Sequence, residues 1–398
     1  ILIASEACVF DLPSNGPITV QGMHRVLQCR DVFGTSGEAL AALLVTDDGP
    51  TRILAVLDEG LAKAQPNLST TISQWAATHR EQIEPVAEPM IVSGGERAKN
   101  DRGVVDSVVR AIHERGICRR SVVLAIGGGA MLDAVGLAAA TAHRGVSLLR
   151  LPSTTLSQAD AGVGVKNGIN ALGAKNLIGT FAPPLAVVND TMLLTTLAER
   201  DWRAGLSEAV KVGLLKQPTL LGDIEQSCQA LCDRDLDAME RIVTATANLH
   251  VAHIVQGGDP FETCRARPLD FGHWSAHQLE LMTGFRLSHG DAVAIGLMID
   301  LQYAQLVRGD VSGPVTRVAN CLESLGFPLH CDALGDEDRL LQGIERFREH
   351  LGGRLAITLV VEPGNPYEVD AIDDAAMRQA IRIIAQRGID RVSRGRVG

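Results

Sequence analysis

The sequence predicts an α/β fold: a parallel-sheet domain over residues 1–190, followed by a mainly α-helical domain over residues 191–398. Three observations predict it. Short apolar, β-branched runs alternate with amphipathic stretches in the first half, the pattern of strands whose connections cross back as helices. One of those runs ends in three consecutive glycines that open a helix. From about residue 191 the strand signals thin out and apolar positions recur at helical spacing.

Taken in order, the strand candidates are RILAVLDEGL (52–61), PMIVSGGE (89–96), SVVLAIGGGAMLD (121–133), VSLLRLPST (146–154) and LAVVND (185–190). A parallel sheet of such strands carries its ligand loops at the strand C-termini. The segment LPSTTLSQADAGVGVKNGINALGAKNLIGTFAPP (151–184) is rich in glycine and has few charges besides Asp160, Lys166 and Lys175; it reads as a loop that lays basic groups on an anion. The stretches 205–231, 236–256, 269–284, 290–308 and 312–325 read as helices. A cleft between the two domains is the expected place for a site.

Composition narrows the function. Hydrophobic residues make up 46% and charged residues 21%, the balance of a packed globular chain. Aromatics at 3% leave few stacking platforms for single-stranded nucleic acid, and a net charge of −10 disfavours both nucleic acid and an anionic membrane. The eight cysteines show neither a C-x-x-C pair nor framework spacing, and no apolar run approaches spanning length. A cytoplasmic protein acting on a small molecule is the resulting expectation.

The turn Gly127, Gly128, Gly129 lets a pyrophosphate approach the backbone at a helix N-terminus, where amide donors and the macrodipole favour negative charge. It is not the G-x-G-x-x-G fingerprint, and a tight turn with no ligand also needs glycine. Asp58, ending ILAVLD, suits either a ribose hydroxyl or a helix N-cap. RPLDFGHWSAHQLELMTGFRLSHGD (267–291) places His273, His277 and His289 close together; the first two, four apart, share a helix face, as in H-x-x-x-H zinc sites. Spacing alone leaves metal binding, substrate contact and packing open.

These blocks carry a family resemblance. The segment from Pro152 resembles the P-T-T-L-x-x-x-x-D-x-x-V-G-G-K stretch of dehydroquinate synthase and its relatives, the sugar phosphate cyclases, with Thr154, Thr155, Asp160 and Lys166 at matching spacing. Collinear matches follow over roughly residues 55–330: Glu96 and Lys99 in GGERAKN, Asp133 after the glycines, Arg144 before glycine, Glu208 and Lys211 in LAERDWRAGLSEAVKVGLL, then FGHWSAH and LSHGDAVAIGL. The resemblance implies a Rossmann-like first domain that binds NAD, a helical second domain that binds metal and substrate, and a homodimer. It implies Glu208, His273 and His289 as ligands of Zn2+ or Co2+, a donor set that suits these ions. It assigns catalysis to Lys166, Asp160, Lys211 and His277, with His277 on the phosphate side. The cofactor would meet Asp58, Glu96, Lys99, Gly127, Gly128, Gly129, Asp133, Thr154, Thr155 and Lys175, and the substrate Arg144, Asn176 and Asp270, with Arg144 reaching a neighbouring subunit.

Departures from dehydroquinate synthase bear on the substrate. Asp270 replaces an asparagine; an expected arginine falls on Ala266, between Arg265 and Arg267; His250 or His253 stands where a lysine is expected, and His350 takes the place of another. A reduced basic set suits a substrate without a carboxylate, which favours sedoheptulose 7-phosphate over 3-deoxy-arabino-heptulosonate 7-phosphate. The valiolone-forming cyclases, which use the former, have proline where this chain keeps His277. Two other readings stay open: an iron-type alcohol or glycerol-phosphate dehydrogenase, and a non-catalytic protein that binds NAD and metal.

Overall fold

The computed structural model describes residues 23–46, 49–257, 261, 268–309, 313–350 and 353–395. Its first half is built on seven parallel strands: β1 (Val26–Cys29), β2 (Thr51–Asp58), β3 (Ile83–Pro85), β4 (Met90–Val92), β5 (Val122–Gly127), β6 (Ser147–Pro152) and β9 (Ala186–Asp190). They lie in the order β1, β9, β6, β5, β2, with β3 and β4 pairing successive parts of β2. The apolar strand β5 shows why this sheet is central. Val122, Leu124 and Ile126 enter the hydrophobic layer on one face, and Val123 and Ala125 the layer on the other, the period-two alternation of a strand covered on both sides.

The chain leaves β2 for β3 and β4 on one flank, then returns to β5 on the other. The crevice beyond the C-termini of β2 and β5 is therefore the topological switch point, where open α/β sheets bind ligands. Asp58 and Gly127 end those two strands.

Every strand expected in the first half forms, and 151–184 differs from its reading as a loop. After β6 it makes one π-helical turn, Ser157–Ala161, and then an antiparallel hairpin, β7 (Lys166–Ala171) and β8 (Ala174–Phe181). The stretch read as 205–231 is two helices, Glu199–Leu215 and Pro218–Cys232, because Pro218 has no N–H to continue the first and is well placed to start the second.

The second half is helical around one large core, with Leu236–Gln256, His273–Met282 and His289–Arg308 nearest the crevice. It also holds a hairpin absent from the sequence reading, β10 (Ile357–Glu362) and β11 (Asn365–Val369). Among the described residues no helix is long and apolar enough to cross a membrane.

Candidate metal and dinucleotide site

Three candidate ligands meet in the helical half, Glu208 and His273 buried and His289 partly exposed. Glu208 sits on the inner face of helix Glu199–Leu215, fully enclosed, while His273 and His289 are the first residues of their helices. Both imidazole Nε2 atoms converge on Glu208 Oε1, at 3.3 and 3.5 Å. Nδ1 of His273 lies 3.0 Å from the Phe271 carbonyl, which can only accept, so the ring carries its proton there and turns a lone pair from Nε2 toward Glu208. Among the described residues, neither Glu208 oxygen accepts a well-aligned hydrogen bond, although Lys211 Nζ stands 2.5 Å from Oε2. A buried carboxylate left open in this way, facing two imidazole lone pairs, fits a divalent cation. Among the described residues, these three form one of two sets whose ligand atoms lie within 4.8 Å of one another; the other is His277, Glu280 and His289.

Close helix crossings bring the ligands together. A Cβ added at Gly296 would stand 2.0 Å from the Gly272 carbonyl oxygen, so only glycine lets helix His289–Arg308 pass the start of helix His273–Met282. Gly272 itself has φ of +78°, a left-handed conformation that favours glycine. Replacing Gly296 by alanine therefore forces the backbones apart and displaces His273. We expect Gly296→Ala to cost about 3 kcal/mol or more and to weaken metal binding, read by thermal unfolding and zinc titration.

Beneath this crossing, the enclosed Asp300 accepts the Trp274 indole N–H at 2.8 Å and the Gly272 N–H at 2.9 Å. Burial pushes its pKa up to about 7, against those two donors. A carboxyl raised in the folded state holds its proton after the unfolded chain has released it, so its contribution to stability falls as pH rises from about 4 to 7, by on the order of 4 kcal/mol. Comparing the pH dependence of unfolding in the wild type and Asp300→Asn checks this: the variant should lack that downward slope.

Charges alternate outward from the ligands. Burial disfavours the Lys211 ammonium, but Glu208 and Asp160 outweigh it and raise its pKa. Burial and Glu208 push Asp160 up, yet His250 and Lys211 hold it down at about 2. His250 Nδ1 lies 2.8 Å from Asp160 Oδ1. His277 stacks on His289 with ring centres 5.8 Å apart; burial, then His273 and Lys175, hold its pKa well below the usual value, so it stays neutral. Asp270 adds its charge to the field at Lys211, and its buried Oδ2 has no hydrogen-bond partner among the described residues.

The second cluster occupies the switch point. Gly128 caps helix Gly129–Thr141, with Thr154 beside it, and Asp58 touches Gly127. Of the two uses the sequence allows Asp58, the structure shows the cap: Oδ1 accepts the Gly60 and Leu61 amides at 2.7 and 3.2 Å. Lys99 bridges Asp133 at 2.6 Å and Asn176 at 2.8 Å, while Asn170 donates to Glu96 at 2.7 Å. The β7–β8 hairpin is thus fastened to the dinucleotide end of the sheet.

Thr155 is enclosed; its hydroxyl donates to the Asp201 carbonyl at 2.9 Å and accepts the Gly205 amide at 3.1 Å. A Cβ on Gly205 would stand 2.4 Å from the Thr155 carbonyl carbon, so the two backbones touch. Lys175, grouped with the cofactor in the sequence reading, reaches Glu280 at 2.8 Å, on the histidine side. Lys166 begins β7, exposed, with its carbonyl bound by Arg150. Arg144 follows the far end of helix Gly129–Thr141, which at about 1.5 Å per residue places it remote from the glycine turn. Arg265 and Arg267 lie outside the described residues, as does the side chain of His350.

Two residues of this region escaped the sequence reading. Arg150 is buried on β6 and donates to the carbonyls of Gly162, Gly164 and Lys166 and to Asn167 Oδ1 at 2.6–3.2 Å. Glu280 falls seven residues after His273 and three after His277, on the same helix face, and that spacing is the mark it leaves in the sequence.

A parallel-sheet domain with a glycine turn at its switch point, facing a Glu–His–His centre in a helical half, defines a dinucleotide- and metal-dependent class of enzyme. The family comparisons narrow it. Residues 89–204 match the model of the 3-dehydroquinate synthase N-terminal region, and residues 205–348 that of its C-terminal region. The chain is 32% identical to 3-dehydroquinate synthase of Dictyoglomus thermophilum over 306 residues, covering 76% of this chain and 85% of that one. It is 31% identical to 2-epi-valiolone synthase of Actinosynnema mirum, with 88% and 87% covered. The structure of 2-epi-5-epi-valiolone synthase from Streptomyces hygroscopicus, with NAD+ and Zn2+ bound, superposes with a TM-score of 0.83 at 24% identity, covering 94% of this chain and 99% of that one. The chain belongs to the 3-dehydroquinate synthase family of sugar phosphate cyclases, enzymes that eliminate phosphate.

Proposed function

We propose that this cyclase converts a heptulose 7-phosphate, sedoheptulose 7-phosphate in preference, to a cyclitol-type carbocycle with loss of phosphate, using NAD and a divalent metal. Asp270 carries the choice of substrate. It adds a third carboxylate to the field at Lys211, after Glu208 and Asp160, and a substrate carboxylate placed there would meet like charge. Its Oδ2, without a partner among the described residues, instead suits a sugar hydroxyl that donates to it. The 2-epi-valiolone synthase relative, aligned over most of both chains, supports the same reading.

Glu208, His273 and His289 would hold Zn2+ or Co2+, which supplies Lewis acidity toward substrate oxygens, and the turn at Gly127, Gly128 and Gly129 would hold NAD as a recycled hydride carrier. Around them the chain's own groups divide the work. Lys211, kept cationic, stabilises oxygen that gains negative charge. Neutral His277 orients the leaving phosphate, and Lys166 and Asn176 bind the sugar phosphate. Asp160, kept ionised, accepts from substrate hydroxyls. Arg144, remote from the crevice of its own chain, fits a homodimer in which it serves the neighbouring site.

The test is phosphate release from metal-loaded protein supplied with NAD, run with each heptulose phosphate. Release from sedoheptulose 7-phosphate alone supports the proposal. Release from 3-deoxy-arabino-heptulosonate 7-phosphate alone makes the chain a 3-dehydroquinate synthase, and net NADH accumulation would indicate a dehydrogenase.

A further inference from the structure

Glu280 is a carboxylate almost wholly removed from water, and both of its oxygens are engaged. Oε2 accepts from His289 Nδ1 at 3.2 Å, and Oε1 accepts from Lys175 Nζ at 2.8 Å. Burying a carboxylate costs several kcal/mol unless partners compensate; here one partner is a ligand ring and the other is a lysine from the β7–β8 hairpin of the other half of the molecule. His289 has two nitrogens and Nε2 faces Glu208. An acceptor on Nδ1 settles which nitrogen carries the proton and leaves the Nε2 lone pair for a cation. His273 obtains the same result from the Phe271 carbonyl. Each imidazole therefore has its own acceptor, but only that of His289 is charged and reaches across the crevice.

We propose that Glu280 is a positioning residue for the metal centre, fixing the tautomer and plane of His289 and, through Lys175, holding the hairpin against it. The inference rests on the metal-binding part of the proposed function. Lys175 is followed in the chain by Asn176, which accepts from Lys99, which in turn pairs with Asp133 at the dinucleotide helix. Glu280 is thus the point where the metal side of the crevice is tied to the hairpin that also contacts the dinucleotide side.

The experiment is zinc titration of metal-stripped full-length protein against a competing fluorescent chelator, in the wild type, Glu280→Gln and Glu280→Leu, without substrate. Loss of an outer carboxylate on a ligand histidine typically weakens metal binding about 10- to 100-fold. That loss is expected in both variants, smaller in Glu280→Gln, whose amide oxygen still accepts from Nδ1. The cobalt-loaded Glu280→Gln protein should also show altered visible absorption bands, which report ligand geometry. A residue that serves packing alone would lower the unfolding temperature of the metal-free protein and leave zinc affinity and the cobalt spectrum unchanged; that result overturns the proposal. Should Glu280→Leu fail to fold, Glu280→Gln decides. Because no substrate is present, weakened zinc binding in a protein that releases no phosphate from any heptulose phosphate would defeat the cyclase reading and leave this one standing.

Discussion

Replacing Glu208 by alanine is expected to abolish zinc binding and to lower turnover by at least about 1,000-fold, since Lewis-acid stabilisation contributes several kcal/mol and each 1.36 kcal/mol is tenfold in rate. Among the described residues the carboxylate is the one negative charge within reach of both imidazole Nε2 atoms, so two neutral ligands remain without it. The same change takes away the carboxylate paired with the enclosed Lys211, leaving only the charges of Asp160 and Asp270 to act on it among the described residues. Breaking a buried pair by removing one partner costs about 3–5 kcal/mol, so Glu208→Ala should also unfold at a lower temperature. Glu208→Gln separates the two effects: it retains an oxygen near Lys211 and fills the same volume, and should recover part of the stability with little of the metal affinity. Zinc titration and thermal unfolding of both variants check this, and a Glu208→Ala protein that binds zinc normally would remove the assigned centre.

The second large effect is expected at Arg150, which touches neither cluster. Its guanidinium is buried and its four contacts hold the turn from Gly162 to Asn167, where the β7–β8 hairpin starts. In Arg150→Met these acceptors lose their donor, and an unsatisfied buried group costs about 1–3 kcal/mol. The total is on the order of 4 kcal/mol, enough to lower the melting temperature by roughly 10 °C. Lysine should not rescue it, because a point charge cannot reproduce the planar fork that reaches several carbonyls at once. Since Lys166 lies in this turn and the strand carrying Lys175 and Asn176 follows it, the Michaelis constant for the sugar phosphate should rise along with the loss of stability. Denaturation and steady-state kinetics read both.

The parts legible in the sequence are those where one residue pattern has one physical meaning. β5 is apolar throughout because both faces are covered, and its glycines mark the start of a helix. The hairpin was illegible for a specific reason. Its two-residue turn is Leu172–Gly173, both with positive φ, where the usual signal is Asn-Gly; a fully exposed leucine at that corner hides the turn. Arg150 was hidden because three of its four partners are backbone carbonyls, which leave no mark on a sequence. Glu280 was hidden differently: glutamate on a helix ordinarily faces water, and only the assembled histidines reveal why this one is buried. The glycines at 272 and 296 read as ordinary members of helical segments until the crossing they permit is seen.

The backbone contact between Gly205 and Thr155 has a consequence of its own. Thr155 follows the strand that lies next to β5 and its dinucleotide turn, and Gly205 precedes Glu208 by one helical turn. The interval between the sites assigned to the hydride carrier and the metal is therefore gauged by main chain against main chain, pinned by the short Thr155 hydroxyl rather than by a long side chain. On the proposed function, the aspartate at position 270 alters what the crevice accepts without changing that interval. On the same reading, a chain with this joint can change its sugar while the span of its hydride transfer stays constant.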